Sequence, residues 1–356
     1  MKYNKKIIIC SIFIIISFTL LIVISSKSIK TFNYNGSIIA LKVDGNDATS
    51  FPSKGKYNVS VNCEHGKGVW NPKTWKLEIT KIKGTVTCDI SFNSNASNLS
   101  NVVDSKGTST IHGKRYQGTD PNNYVWFNDE LWRIIGNVPV CLTSGCATTQ
   151  NRVKLIRNDS IGAIKYGSNS TWMGSNIQNL LNTCYLGKAS SCDSYCHSGT
   201  SAVGLCNYSS DGIDASDYYG NMIEDVYYNV GAGDSTYKTA DNYYTQEIAT
   251  HTTSTSKIGL MYASDWGYAI EGFTEVLGSA GSPASYMNKN WLFSNGLEWT
   301  MSAHNSSIPL TVTSVGNLYF NSASYGRAAR PVLYLKSNVY VTGGTGSKTN
   351  PYRLGI

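Results

Sequence analysis

Two acidic side chains, each directly before a tryptophan, are the groups in this sequence that could take part in catalysis or in ligand binding. Asp265 precedes Trp266 and Glu298 precedes Trp299, both in the last third of the chain. Two carboxylates within about 10 Å of each other could share acid and base roles on a sugar polymer, whereas an indole ring beside polar groups could hold a sugar face. The alternative is that these polar side chains are structural, with their hydrogen bonds satisfied inside the protein. We predict a ligand-binding site at Asp265, Trp266, Glu298, Trp299, His304 and Asn305.

Nucleophilic catalysis has little support in the sequence. There is no Gly-x-Ser-x-Gly elbow, and the five histidines lie in polar contexts without recognisable partners. Asp211, Asp214 and Asp217 lack the order of a calcium loop, and the N-terminus of a helix explains them better. We therefore expect no catalytic residue, no metal and no cofactor, and we predict that the protein is not an enzyme.

The glycine-rich stretch VTGGTGSKTNPYRL near the C-terminus resembles a phosphate-binding loop but departs from that motif. A P-loop needs Gly-x-x-x-x-Gly-Lys-Ser/Thr at the start of a helix. Here Ser347 separates Gly346 from Lys348, and Pro351 follows almost at once. We predict a tight turn between two strands and expect no nucleotide as a ligand.

Eight cysteines follow an apolar N-terminal segment that holds a ninth, Cys10. Cys63 and Cys88 lie on the apolar faces of two segments with period-two hydrophobicity, so a disulfide between them is expected. Cys141 and Cys146 are expected to close the loop CLTSGC.

The remaining four cysteines and His197 lie within 23 residues, which could suggest zinc. Their spacing lacks the paired C-x-x-C knuckles of structural zinc sites, so disulfides are favoured. We predict that Cys184 pairs with Cys206 around an inner pair, Cys192 and Cys196.

The elements that would position these residues fall into two parts. Alternating apolar and polar residues predict a small, antiparallel, disulfide-bridged β-module over residues 36–95. The polar stretch 96–110 is typical of a linker. In the following domain, residues 111–356, short strands flank two amphipathic segments, 175–184 and 214–230, which predict helices. The predicted fold class is α+β.

The N-terminal segment predicts an anchor in a membrane. Residues 7–24 form an uncharged apolar run behind three lysines, close to the roughly 20 residues of a transmembrane helix. We predict a single-pass signal anchor over residues 1–30, with the bulk of the chain extracellular; a cleaved secretion signal is the alternative. Beyond that segment 25 basic residues stand against 23 acidic ones. Without a Lys/Arg stripe, nucleic acid is not an expected partner.

Several segments resemble an uncharacterised family of surface-anchored proteins from Gram-positive gut bacteria: YVWFNDELWRIIG, GSNIQNLLN, IGLMYASDWGYA, LEWTMS, and YGRAARPVLYL followed by VTGGTGSKTNPYRL. That family in turn is similar to the sulfatase-modifying branch of the C-type-lectin-like fold, and the resemblance implies such a domain over about 111–356. Enzymes of that branch use late cysteines for copper-dependent oxidation. No cysteine follows Cys206 here, so that activity is not expected.

The leading functional hypothesis is a membrane-anchored, extracellular binding or adhesion protein that recognises a glycan or a surface protein of a host or bacterium. Two alternatives stay open, because a fold does not fix a function. One is an enzyme that modifies a cell-wall or surface polymer, using Asp265 or Glu298. The other is a pilin-like component of a surface appendage, since SFTLLIVIS resembles the core of a pilin leader.

Overall fold

The computed structural model describes residues 31–168, 171–196, 206–230, 239–249, 253–272, 287–305 and 308–356. Contacts between residues divide the chain into two compact units. The described part of the first unit consists of 31–55, Val59–Trp70 and Leu77–Ser94. The second unit consists of Lys56–Asn58, Asn71–Lys76 and Asn95–Ile356. The segment 96–110 is therefore not a separate linker, because it belongs to the second unit and contains a helix.

The described part of the chain is mostly β, with 42% strand and 15% helix, so the α+β fold class expected from the sequence is wrong. The predicted helix over 214–230 instead forms a 3-10 turn at Gly220–Met222 and a strand at Val226–Asn229. Its run of valine and tyrosine favours a strand over a helix.

The transmembrane helix in the predicted fold class is likewise not supported. Across the described ranges, no helix is both long enough and apolar enough to cross a membrane. The apolar run 7–24, on which the expected anchor rests, lies outside the described residues.

The helices are short. The α-helices are α1 (Leu99–Lys106), α2 (Asn176–Asn179), α3 (Asp193–Cys196), α4 (Ala240–Ala249) and α5 (Ala263–Tyr268). A 3-10 turn forms at Ser144–Cys146, and α2 continues as a π-helical turn, Leu180–Tyr185. The helix expected over 175–184 begins where its cap predicts, because the Ser175 hydroxyl accepts the Gln178 N–H at 3.1 Å.

The first unit is a small all-β module built on one main sheet. Its strands are β1 (Thr31–Tyr34), β2 (Ser37–Val43), β3 (Asn46–Ala48), β4 (Asn58–Glu64), β5 (Lys67–Asn71), β6 (Lys76–Thr80) and β7 (Thr87–Asn93), some of which extend a residue or two into the second unit. The sheet order is β1-β2-β7-β4, and β2 pairs with β7 in parallel, so the expectation of a purely antiparallel module is wrong. The predicted Cys63–Cys88 disulfide is confirmed.

The second unit contains two larger sheets. Its strands are β8 (Thr108–Thr110), β9 (Gly113–Arg115), β10 (Tyr124–Phe127), β11 (Glu130–Cys141), β12 (Thr149–Arg157), β13 (Ala163–Lys165), β14 (Val226–Asn229), β15 (Thr253–Ser256), β16 (Ile258–Gly259), β17 (Glu298–Asn305), β18 (Ile308–Val312), β19 (Leu318–Phe320), β20 (Gly326–Ala328), β21 (Val332–Tyr334), β22 (Tyr340–Gly343) and β23 (Tyr352–Gly355). One sheet has the order β13-β20-β17-β18-β19. The other is centred on β16-β21-β12-β11-β10-β23-β22, with β8, β9, β14 and β15 at its margins.

Two local predictions in this unit are confirmed. β10 and β11 form the expected hairpin about Asn128 and Asp129, both of which have positive φ. The glycine-rich stretch joins the antiparallel strands β22 and β23 as a turn. A turn of this kind leaves no helix N-terminus to hold a phosphate.

The cysteines of this unit pair differently from the prediction in one region. The expected Cys141–Cys146 disulfide is confirmed. Cys184, however, bonds to Cys192, so the predicted pairs Cys184–Cys206 and Cys192–Cys196 are wrong. The chain folds back directly after the π turn, where the Ala189 N–H donates to the Cys184 carbonyl at 3.0 Å, and this brings Cys192 within reach.

Candidate functional site

A buried arginine at the end of β9 is the centre of the candidate site. β9 pairs with β11, placing Arg115 opposite Gly136, next to a bulge in β11. The approach is so close that a Cβ on Gly136 would lie 2.2 Å from the Lys114 carbonyl oxygen. Only glycine fits there without movement of the backbone. The bulge and the glycine together let β9 carry Arg115 into the core.

Asp265 binds two cations at once. Its Oδ1 accepts from Arg115 Nη1 at 2.6 Å, and its Oδ2 accepts from Lys154 Nζ at 2.5 Å. Asp265 lies in the first turn of α5, where Oδ2 also accepts the backbone N–H of Tyr262 at 2.9 Å. Lys154 lies on β12, with its ammonium 4.3 Å from the ring centre of Tyr262 and 5.3 Å from that of Tyr334. All three charged side chains are buried.

Two cations of this cluster depend on one ion-paired carboxylate. Burial alone would raise the pKa of Asp265, but Lys154 and Arg115 outweigh it and hold that pKa below its ordinary value. Burial lowers the pKa of Lys154, whereas the Asp265 carboxylate opposes this effect. The ionised acceptor and two aromatic faces favour the ammonium form of Lys154, and a guanidinium stays charged in proteins. Two positive charges therefore share one negative charge.

A second buried carboxyl group, Glu247 on α4, lies in the same region. Its oxygens accept the Ser264 N–H at 3.1 Å, the Ser264 hydroxyl at 2.5 Å and the Ser302 hydroxyl at 2.6 Å. Burial raises the pKa of Glu247 above its usual value, although these hydrogen bonds oppose the rise. Environments that push two carboxyl pKa values apart are typical of acid and base pairs in enzymes.

The space beside these carboxyl groups is small. A cavity of about 20 Å³ is lined by Arg115, Lys154, Glu247, Tyr262 and Asp265, among others. That volume accommodates about one water molecule. A sugar ring or a polymer chain therefore has no room next to either carboxyl group.

Arg115 also lines a much larger, open cleft, which we call the β9 cleft. Its volume is about 300 Å³, and it is lined by Lys106, Thr108, Arg115, Tyr116, Gln117, Pro121 and Asn122. Lys106 is exposed, and its Nζ donates to the Tyr352 hydroxyl at 2.5 Å. Arg115 Nε has no hydrogen-bond partner among the described residues. The lining offers several donors and no carboxylate.

The two carboxylates predicted from the sequence belong to separate ion pairs. Asp265 binds Arg115 and Lys154, as above, whereas Glu298 accepts from Arg330 Nε at 2.7 Å and from the Ser294 hydroxyl at 2.7 Å. Both carboxylates are buried, and no contact joins them in the described part of the chain. The structure gives each of them a role in packing, and contact with a ligand stays a prediction.

The other predicted site residues are placed as follows. Trp266 is buried against Phe293, and Trp299 Nε1 donates to the Ile164 carbonyl at 2.7 Å. The half-buried His304 stacks on Phe320 with ring centres 5.3 Å apart. The Asn305 side chain lies outside the described residues.

Most tryptophans of the second unit serve packing. Five of the seven are buried, namely Trp132, Trp172, Trp266, Trp291 and Trp299, whereas Trp75 is half-buried. Trp126 is half-buried, with Arg353 4.8 Å from its ring centre. The abundance of indole rings is therefore not in itself a sign of an exposed sugar platform.

Sequence reasoning missed Lys106, Arg115, Lys154 and Glu247. Arg115 and Lys154 meet Asp265 across 150 and 111 residues of sequence, so no local motif marks them. One signal was present: Lys154 interrupts the apolar strand RVKLIR, and a lysine at a buried strand position needs a partner.

Of the three aspartates considered for calcium, Asp211 accepts the Ser210 hydroxyl at 2.9 Å, and the other two accept backbone N–H groups. Asp214 accepts the Ser216 N–H at 2.8 Å, and Asp217 accepts the N–H groups of Tyr219 and Gly220 at 2.9 Å. Within the described residues, no group of three or more His, Cys, Asp or Glu side chains is arranged to hold a metal ion.

Comparison of the chain with protein-family models, with curated proteins and with solved structures finds no match. The family resemblance noted in the sequence therefore stays a prediction that rests on short motifs.

Proposed function

We propose that this chain is an exported, non-enzymatic binding protein that holds a glycan in the β9 cleft. The observation that supports this proposal is the difference in volume and lining between the open cleft and the buried cavity. The open cleft of about 300 Å³ is lined by hydrogen-bonding side chains without a carboxylate, whereas Asp265 and Glu247 border a space for about one water.

A binding role fits the chemistry of the cleft. Sugars are recognised by fixed donors and acceptors together with an aromatic or apolar surface. The cleft offers Gln117, Asn122 and Thr108 as polar groups, and Tyr116 and Pro121 as apolar surface. Hydrolysis of a glycosidic bond would require carboxyl groups on both sides of that bond, and the cleft has none.

The disulfides support export. Cys63–Cys88 lies in the first unit, and Cys141–Cys146 and Cys184–Cys192 lie in the second. Disulfides in both units favour an oxidising compartment outside the cytosol, which is where a surface-binding protein would act.

A polymer-modifying enzyme is the second candidate, because Glu247 and Asp265 have pKa values shifted in opposite directions within one buried cluster. It would require α4 to move and open the cavity to a substrate. Glu247→Gln would then abolish turnover of a surface polymer without reducing its binding.

The test of the binding proposal uses the purified full chain on a broad glycan array. Asn122→Trp fills the β9 cleft from an exposed position, and Asn151→Trp is a matched control, since Asn151 is equally exposed and does not line the cleft. The wild type and the control should bind the same glycans, and Asn122→Trp should lose them. The absence of any bound glycan, or binding unchanged in Asn122→Trp, would contradict the proposal.

A further inference from the structure

The charged side chains next to the β9 cleft indicate which class of glycan it binds. The buried cluster holds the guanidinium of Arg115 and the ammonium of Lys154 against the single carboxylate of Asp265. Glu247 lines the same cavity, but its hydrogen bonds run to Ser264 and Ser302 and not to either cation. Arg115 and Lys154 therefore share Asp265 as their one ion-paired carboxylate among the described residues.

Arg115 is the member of the cluster that reaches the cleft. It lines both the buried cavity and the β9 cleft, whereas Lys154 and Asp265 line only the cavity. Its Nη1 is committed to Asp265, but its Nε–H is buried without a partner among the described residues. A buried N–H of this kind costs free energy until an acceptor meets it, and a charged acceptor meets it best.

Lys106 adds a second cation to the cleft. It ends α1, is exposed, and lies with its ammonium 5.0 Å from the ring centre of Tyr352. Its one described polar partner is the neutral Tyr352 hydroxyl. Among the nearby acids, Asp120 is bonded to Arg133 at 2.8 Å, and Asp104 accepts from Asn137 at 2.9 Å. Neither acid lines the cleft.

We infer that the β9 cleft binds an acidic glycan, with a carboxylate or sulfate group of the sugar held by Arg115 and Lys106 and its hydroxyl groups held by Gln117 and Asn122. This inference rests on the proposed function, since it names the class of glycan that the same cleft takes. An anionic group would give the buried Arg115 N–H a charged acceptor and would pair with the Lys106 ammonium. A neutral sugar offers this N–H only an uncharged oxygen, which makes a weaker hydrogen bond.

Matched glycan pairs test the inference with the full chain. Each pair contains an acidic glycan and the same glycan made neutral: sialylated and desialylated, uronate and carboxyl-reduced, sulfated and desulfated. We expect the acidic member to bind at least about tenfold more tightly, and its affinity to fall as salt rises. The pair that shows the effect identifies the anionic group. Equal affinity for neutral members would overturn this inference and leave the proposed function standing, whereas binding of no member would count against both.

Two lysine variants test whether the cation that binds the acidic group lies in the cleft. Lys106→Gln removes a cation that lines the cleft from an exposed position. Lys114→Gln makes the same change on β9, at a half-buried side chain that does not line the cleft. Affinity for the acidic glycan should fall by about three- to tenfold in Lys106→Gln, which is the size of one charge-assisted contact, and stay unchanged in Lys114→Gln. An equal loss in both variants would show a non-specific charge effect and contradict the inference.

Discussion

Arg115 and Asp265 form a buried ion pair with an Nη1 to Oδ1 distance of 2.6 Å, and they lie 150 residues apart in the sequence. This contact ties β9, at the margin of the larger sheet, to the first turn of α5. The same arginine lines the open cleft, so the pair links the packing of the core to the proposed ligand site.

Gly136→Ala should destabilise the protein and disturb the cleft. Its Cβ would meet the Lys114 carbonyl at 2.2 Å, which would force β9 away from β11. We expect a loss of about 1–3 kcal/mol in the free energy of unfolding, measured in urea, together with weaker glycan binding. Gly296→Ala is the control, because a Cβ there would meet nothing within 4 Å. A Gly136→Ala variant as stable as this control would contradict the assigned packing.

Asp265→Asn should be strongly destabilising. The change keeps the shape of the side chain but leaves the charges of Arg115 and Lys154 without a counterion in the core. Breaking a buried ion pair in this way costs about 3–5 kcal/mol, which urea unfolding would measure. Asp104→Asn removes an exposed carboxylate and should cost less than about 1 kcal/mol. Similar losses in the two variants would show that the buried ion pairs contribute little to the free energy of unfolding.

The stability of the protein should depend on pH through Glu247. Its pKa is raised in the folded state above the usual value of 4.5, so the folded chain holds this proton more tightly than the unfolded chain does. The resulting stability is fully present below pH 4.5 and is lost as pH rises through the folded-state pKa.

Glu247→Gln isolates this effect, because its amide stays neutral. The unfolding free energy of the variant minus that of the wild type should be constant below pH 4.5 and should increase above it. Denaturation in urea at a series of pH values measures this difference. A difference independent of pH would exclude a shifted carboxyl group at this position.

A further disulfide is expected between Cys196 and Cys206 in oxidised protein. The Cys196 thiol hydrogen-bonds the Cys206 thiol, and the Cys192 N–H donates to the Cys206 carbonyl at 2.8 Å. The two thiols would release two protons and pass two electrons to a disulfide oxidant such as oxidised glutathione, which becomes two thiols. Peptide mapping without reduction should find this link beside Cys184–Cys192. Alkylation of both thiols in fully oxidised protein, or a Cys184–Cys206 link, would contradict it.

Local patterns in the sequence predicted local structure well. Period-two faces identified the Cys63–Cys88 disulfide, and Asn128 with Asp129 identified a hairpin, because each could be inferred from the residue types of short segments. The prediction of a helix over 214–230 was wrong. The spacing of its apolar residues matches one face of a helix, but its valine and tyrosine side chains favour a strand, which pairs with β15.

The candidate site depends on contacts that no local pattern contains. Asp265 was selected for its neighbour Trp266, yet its partners come from β9 and β12. The expected partnership with Glu298 rested on closeness in the last third of the chain, and Arg330 binds Glu298 elsewhere. Sequence reasoning therefore found a central carboxylate but neither its cations nor the cleft beside it.

Hydrogen–deuterium exchange of the full chain, with and without an acidic glycan selected on the array, tests the central claim most directly. A ligand in the β9 cleft predicts slower exchange at residues 106–122, with little change at 298–305. Protection confined to 298–305, or to the first unit, would contradict the assignment of the binding site to this cleft.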